Sequence, residues 1–154
     1  MSLTTEAAWL LDVNALIALL SRDHLHHDRM HQWFATHSSK GWATCPITEN
    51  GAIRIMSQDA LGAGRLQPSE VVAALRATAE SHAKHHRFWT DAISLTDDTL
   101  FRVEYILGPK QVTDAYLLGL AAKHNAKLVS FDRSLPWQAI RNGTARLIET
   151  PLLQ

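Results

Sequence analysis

Residues Gln111–Asp132, QVTDAYLLGLAAKHNAKLVSFD, decide how the chain folds. Thr113 stands where it can cap a helix, and Asp114 falls in the first turn after it. Tyr116, Leu117, Leu118, Leu120 and Ala121 make that helix apolar nearly all round, the pattern of a buried helix rather than a surface one. His124-Asn125 ends it. Leu128, Val129 and Phe131 follow as a short apolar run stopping at Asp132, as in a strand covered on both faces. About ten helical residues at ~1.5 Å each travel ~15 Å in one direction. Five or six strand residues at ~3.3 Å each return about the same distance. Asp114 and Asp132 are therefore expected at one rim of a sheet.

The other end of the chain repeats the design. Trp9-Leu10-Leu11 is a short apolar run ending in Asp12, followed by Val13-Asn14 and a helical run, Ala15–Leu20. In open α/β sheets ligands bind beyond the carboxyl ends of the strands, so Asp12 shares the rim with Asp132. Lys40-Gly41 opens a turn into a second strand, Trp42–Ile47, whose Pro46 suits a strand end. Thr48-Glu49 then begins a helix, with Ile53 and Met56 on the face of Glu49. Any one of these acids is adequately explained as a cap or a partner of a helix dipole. Four at one topological address, Asp12, Glu49, Asp114 and Asp132, are not.

Between these units the signals are weaker. Ser21–Gln32 is rich in His, and His27 and His31 would share a helix face, a spacing that can grip zinc. No second Cys and no HExxH pattern completes such a site, and Trp33-Phe34 reads as a core anchor. Asp59–Gln67, with Gly62 and Gly64, reads as a loop. It lacks the context of a nucleotide cradle, and no GxxxxGK occurs. Pro68-Ser69-Glu70 starts a helix with Val72, Leu75 and Ala79 as its apolar stripe, and Lys84-His85-His86-Arg87 reads as its solvated basic end. Phe88-Trp89 and Ala92–Leu95 suggest a third strand region. Thr96-Asp97-Asp98 then caps a helix through Leu107 that Gly108-Pro109 stops. Asp91 competes as a site acid, whereas Asp97 and Asp98 look like ordinary first-turn charges. A turn at Ser134–Pro136 precedes a last strand, Ala145–Glu149.

Composition sets the outer limits. The 154 residues are one domain's worth, and 46% hydrophobic content with five Trp fits a packed core. The lone Cys45 leaves no internal disulfide, which suits a reducing cytoplasm. Neither a signal-peptide pattern nor an apolar run of the ~18 residues a membrane span needs is evident. Net charge is zero, so the whole chain carries no nucleic-acid signature. Setting the four acids aside leaves the remaining surface net positive, which permits an anionic substrate. Four carboxylates packed together repel, and a hard divalent cation with oxygen ligands, Mg²⁺ above all, removes that problem. Phosphodiester hydrolysis is the chemistry such a site does well.

Four segments, LLDVNALIAL, ITENGAIRI, QVTDAYLLGLAAKH and LVSFDRSL, resemble the four acidic motifs of PIN-domain ribonucleases, in particular the VapC-type toxins of toxin–antitoxin modules. The resemblance runs in order from about Leu10 to Glu149 and includes HRFWTDAISLTD between the second and third motifs. It implies one PIN domain over residues 1–154, a Rossmann-like α/β/α sandwich with a mainly parallel sheet, and an Mg²⁺- or Mn²⁺-dependent endoribonuclease of the cytoplasm. It also implies a small cognate antitoxin that inserts near the cleft, and a homodimer or a toxin–antitoxin hetero-oligomer. Carried across, Asp12 and Asp114 would be the principal metal ligands, completed by Glu49 and Asp132. Thr113 and Ser130 would be supporting hydroxyls, Asn14 an orienting amide, and Arg54, Lys110 and Arg133 the grip on RNA. The competing expectation is a catalytically silent RNA- or protein-binding module on the same fold. A haloacid-dehalogenase-type phosphatase wants Asp-x-Asp where this chain has Asp12-Val13-Asn14, a receiver domain wants paired acids there, and no GxSxG supports a serine hydrolase.

Overall fold

Order reverses once across the sheet, and that reversal places the site. A computed structural model describes residues 6–58 and 66–152. Strands β1 (Trp9–Leu11), β2 (Trp42–Thr44), β3 (His86–Phe88), β4 (Lys127–Val129) and β5 (Ile148–Glu149) lie in the order β3-β2-β1-β4-β5. Every neighbouring pair is parallel. The chain moves outward from β1 to β3, then crosses back to β4 on the other side. The crevice of such a sheet lies beyond the carboxyl ends of β1 and β4.

A parallel sheet must be covered on both faces. Period-two alternation sorts the strand residues. Leu10, Ala43 and Leu128 face α5 (Val112–Lys123), packing with Phe101, Leu135 and Ile140. Trp9, Leu11, Trp42 and Val129 face the helices of the other layer. These are α1 (Val13–Leu20), α2 (His27–His37), α3 (Pro46–Met56) and α4 (Pro68–Ser81). The expected α/β/α sandwich is present, with a sheet that is wholly parallel. In α5, Ala115–Ala121 are all buried, as its all-round apolarity predicts. Gly119 is in that run because a Cβ there would strike the Phe101 ring. Among the described residues, no helix is long and apolar enough to cross a membrane.

Several boundaries differ from expectation, each for a local reason. Strand β2 stops at Thr44 and α3 begins at Pro46, so Pro46 opens a helix rather than closing a strand. Thr48 closes a capping box with Cys45, its hydroxyl accepting from the Cys45 N–H at 3.0 Å. In α4 Leu75 is buried as expected, but its buried companion is Val71 rather than Val72 or Ala79. His86 and Arg87 belong to β3 and not to a solvated helix end, and Ala92–Leu95 carries no strand. Thr113 does not cap α5. A 3-10 turn, Pro109–Gln111, feeds the helix, and Gln111 stands at the cap without a side-chain bond. Phe131 lies beyond β4, and only the last two residues of Ala145–Glu149 are strand.

The largest departure is Thr96–Leu107, which forms no α-helix. Asp97 accepts from the Thr99 N–H at 2.9 Å and its hydroxyl at 2.6 Å, closing a turn instead of capping a helix. Phe101 bridges to Ile140, with Arg102 N–H to Ala139 O at 2.7 Å and Arg141 N–H to Leu100 O at 2.9 Å. Long-range partners take the backbone groups a helix would have used. Of the Asp59–Gln67 loop, residues 59–65 lie outside the described residues.

Candidate active site

Asp12 follows β1 directly and does two jobs at once. Its side chain accepts from the Ala15 N–H at 2.7 Å, capping α1, and it is only 7% exposed. Ser130, just past β4, supplies a second hydrogen bond. The Ser130 Oγ accepts from the Asp132 N–H at 3.0 Å, which leaves its proton for Asp12. Even so, burial pushes the Asp12 carboxyl up to about 6. The two hydrogen bonds pull the other way, and the nearby charges of Asp114 and Asp132 push it up further. Asp114, in the first turn of α5, is half-buried, and burial and then Asp132 raise its pKa as well. Asp132 is exposed and has its Oδ1 engaged by the Ser134 N–H at 2.8 Å and hydroxyl at 2.6 Å.

These residues line one cavity of about 510 Å³ at the carboxyl rim, in which Asp12, Asn14, Thr113, Asp114, Ser130 and Asp132 supply the polar atoms. A cleft of about 500 Å³ at the other end of the strands, between Glu6, Lys40, Arg87 and His124, holds no cluster of acids. Thus six of the seven residues assigned to the acid site and its support converge as the topology requires. Glu49 does not. Its Oε2 accepts from the Thr44 hydroxyl at 2.7 Å, on the α3 side of the sheet, and it does not line the cavity. Arg54, Lys110 and Arg133 are exposed and outside the lining.

Among the described residues, no three His, Cys, Asp or Glu side chains stand close enough to share one ion. That excludes an all-protein cage. It fits Mg²⁺, which keeps several waters and is commonly held by one or two carboxylates. The charge balance fits too: among the described residues, the groups acting on Asp12 and Asp114 are acids and hydrogen-bond donors, with no basic side chain.

Some neighbours of the site were not legible as such. Ile17, Ile55 and Phe131 form an apolar wall of the cavity. Phe131 stacks on His26 with centroids 4.5 Å apart, and the His24 Nε2 reaches the Asn14 Oδ1 at 2.8 Å. Since that oxygen only accepts, the His24 Nε2 carries the proton. The His27 Nδ1 and His31 Nε2 meet the carbonyls of Ala18 and Leu19 at 2.7 and 2.9 Å. Their task is to satisfy the open carbonyl end of α1, not to bind zinc. The one sequence cue for Phe131 was its place between Ser130 and Asp132.

Fold and rim together define a class, a doubly covered parallel sheet with acids gathered at the switch point. The sequence profile of the PIN domain matches residues 9–139. Ribonuclease VapC44 of Mycobacterium tuberculosis is 39% identical over 142 residues, spanning 92% of this chain and 97% of its own. Ribonuclease VapC38 of the same organism is 44% identical over 126 residues, 80% of this chain and 84% of its own. Ribonuclease VapC39 is 39% identical over 126 residues, 82% and 89%. The chain belongs to the PIN-domain family, among its VapC ribonucleases.

Proposed function

We propose that this protein is an Mg²⁺- or Mn²⁺-dependent endoribonuclease acting as a toxin, with Asp12 and Asp114 as the principal ligands of the cation and Asp132 and Glu49 completing the acid set through water. Asp12 is the observation that carries the reading: a carboxylate buried at the switch point against two more acids, with no basic side chain among the described residues acting on it. Left so, the acids are unfavourable, and a divalent cation offsets their repulsion. Such an ion, when bound, activates water and neutralises charge on the phosphate.

The chain's own residues do the holding. The Ala15 N–H and the Ser130 hydroxyl keep Asp12 in one orientation. Asn14 gives its oxygen to His24 and keeps its NH₂ to donate to a phosphate. Asp132 has Oδ1 bound within its own turn, which leaves Oδ2 for the cavity. Thr113 offers a hydroxyl beside Asp114, and the wall of Ile17, Ile55 and Phe131 gives a sugar or base an apolar surface to rest on. Arg54, Lys110 and Arg133 hold flanking phosphates, which sets affinity and salt dependence rather than sequence choice. The same reading gives RNA as substrate, the cytoplasm as compartment and a small antitoxin as the partner covering the cleft, in a homodimer or hetero-oligomer. The relatives' names as ribonucleases support the activity.

Asp114→Asn, nearly isosteric, tests it. Cleavage of RNA in Mn²⁺ is expected to fall by at least about a hundredfold with circular dichroism unchanged. Cleavage by the wild type that persists in excess chelator would sink the reading.

A further inference from the structure

Glu49 is held in a way that its cavity-lining partners are not. Thr44 ends β2 fully buried, and its hydroxyl has two neighbours, the Glu49 Oε2 at 2.7 Å and the His86 Nε2 at 2.9 Å. A hydroxyl has one proton and an ionised carboxylate only accepts. Thr44 therefore donates to Glu49 and accepts from His86, whose proton is fixed on Nε2. The ring is itself placed from two sides. His86 is in register with Trp42 in the sheet, and the Trp42 ring lies 4.4 Å from it. Burial keeps it neutral, pushed down to about 4, so the ring itself offers no cation for phosphate.

The start of α3 makes this geometry possible. Pro46 opens the helix one residue after the Cys45 cap, so five positions carry the chain from the buried Thr44 to Glu49 just above it. A glutamate in the opening turns of a helix ordinarily turns about three side-chain bonds in water. Here one of its oxygens is tied to a buried hydroxyl, which restricts the carboxylate and leaves Oε1 outside that bond.

We infer that Thr44 and His86 are positioning residues that act through Glu49, a one-way relay from His86 Nε2–H through Thr44 O–H to Glu49 Oε2 that presents Oε1 to the active site. This rests on the reading of Glu49 as an active-site acid. A purely structural Thr44 would be satisfied by His86 alone and would be indifferent to what stands at position 49.

The test is a double-mutant cycle on the full chain, with kcat and KM for RNA cleavage in Mn²⁺ measured for wild type, Thr44→Val, Glu49→Ala and the double variant. Thr44→Val is expected to lower kcat about tenfold, as for loss of a hydrogen bond to a charged group, with KM within about twofold. Thr44→Ser should restore the rate, and Thr44→Val should cost nothing further once Glu49 is alanine. Nitrogen NMR should find His86 protonated on Nε2 in the wild type. If Thr44→Val fails to fold by circular dichroism, His86→Phe takes its place in the cycle, removing the donor that orients the hydroxyl. An equal loss whether or not the Glu49→Ala change is present, or no loss in either case, overturns the relay. Neither result touches the metal-dependent ribonuclease reading, which fails separately if the wild type needs no Mn²⁺ or Asp114→Asn still cuts.

Discussion

Asp12 and Glu49 follow adjacent strands of one sheet at the same end, and their surroundings are opposite. Asp12 is nearly sealed from water, caps α1, and has its pKa raised to about 6 by burial and, further, by two facing acids. Glu49 is half-buried and has a neutral hydroxyl for its neighbour. One carboxylate sits where folding alone would not put it; the other is satisfied by the fold. A side chain held against its own stability marks a candidate functional position, and on that ground the proposed cation is put beside Asp12 rather than Glu49.

The sharpest break of that contrast is Asp12→Asn. Asparagine still accepts from the Ala15 N–H, so the cap survives while the charge is lost. RNA cleavage should fall by at least about a hundredfold, and the protein should become more stable. The folded Asp12 pKa of about 6 lies above the ordinary 3.8, so folding favours its protonated form. Its contribution is whole below pH 4, is lost as pH rises to about 6, and stays lost above. A shift of about two units is roughly 3 kcal/mol, which Asp12→Asn should recover at about pH 7 and not at about pH 4. Urea unfolding of both proteins at the two pH values measures it. Equal stabilities at neutral pH would mean that Asp12 is not strained.

A gentler way to relieve the same site is to fill it. Mn²⁺ at about a hundred times its dissociation constant should stabilise the wild type by roughly 2.7 kcal/mol. The gain should fade below about pH 6, where binding must displace the Asp12 proton, and be absent from Asp12→Asn. Thermal melts with and without Mn²⁺, at about pH 5 and about pH 7.5, check it.

The contrast was only half legible in the sequence. Asp12, Asp114 and Asp132 could be brought together from chain geometry alone, because a buried helix and a parallel strand of known rise return their ends to one rim. Ser130, Thr113 and Asn14 came with them by adjacency. Glu49 went elsewhere because its position depends on where α3 begins, and Pro46 reads equally as a strand end or a helix start. The helix starts at Pro46, two residues before the expected Thr48, and the carboxylate lies against the buried Thr44 hydroxyl. The Thr96–Leu107 segment was lost for a related reason. Asp97 can cap a helix or close a turn onto Thr99, and the choice is made by Phe101 and Ile140, which lie far apart along the chain and meet only in the fold. His27 and His31 were opaque because their partners are backbone carbonyls, which no side-chain spacing reveals.

The smallest expected effect is the one that isolates Glu49. In Glu49→Gln the amide oxygen can accept from the Thr44 hydroxyl as the carboxylate does, so His86, Thr44 and the start of α3 keep their bonds. Glu49 lies outside the cavity that Asp12, Asp114 and Asp132 line, so removing its charge should relieve little. Stability should change by less than about 1 kcal/mol at neutral pH, the range of a retained neutral hydrogen bond, against the roughly 3 kcal/mol gain at Asp12. Cleavage should still drop, since the remaining oxygen has become an NH₂ that cannot ligate a cation or accept a proton. Denaturant unfolding and a cleavage assay on the same preparation read both quantities. A stability gain comparable to that of Asp12→Asn would put Glu49 under the same repulsion as Asp12, and the two carboxylates would then belong to a single strained cluster.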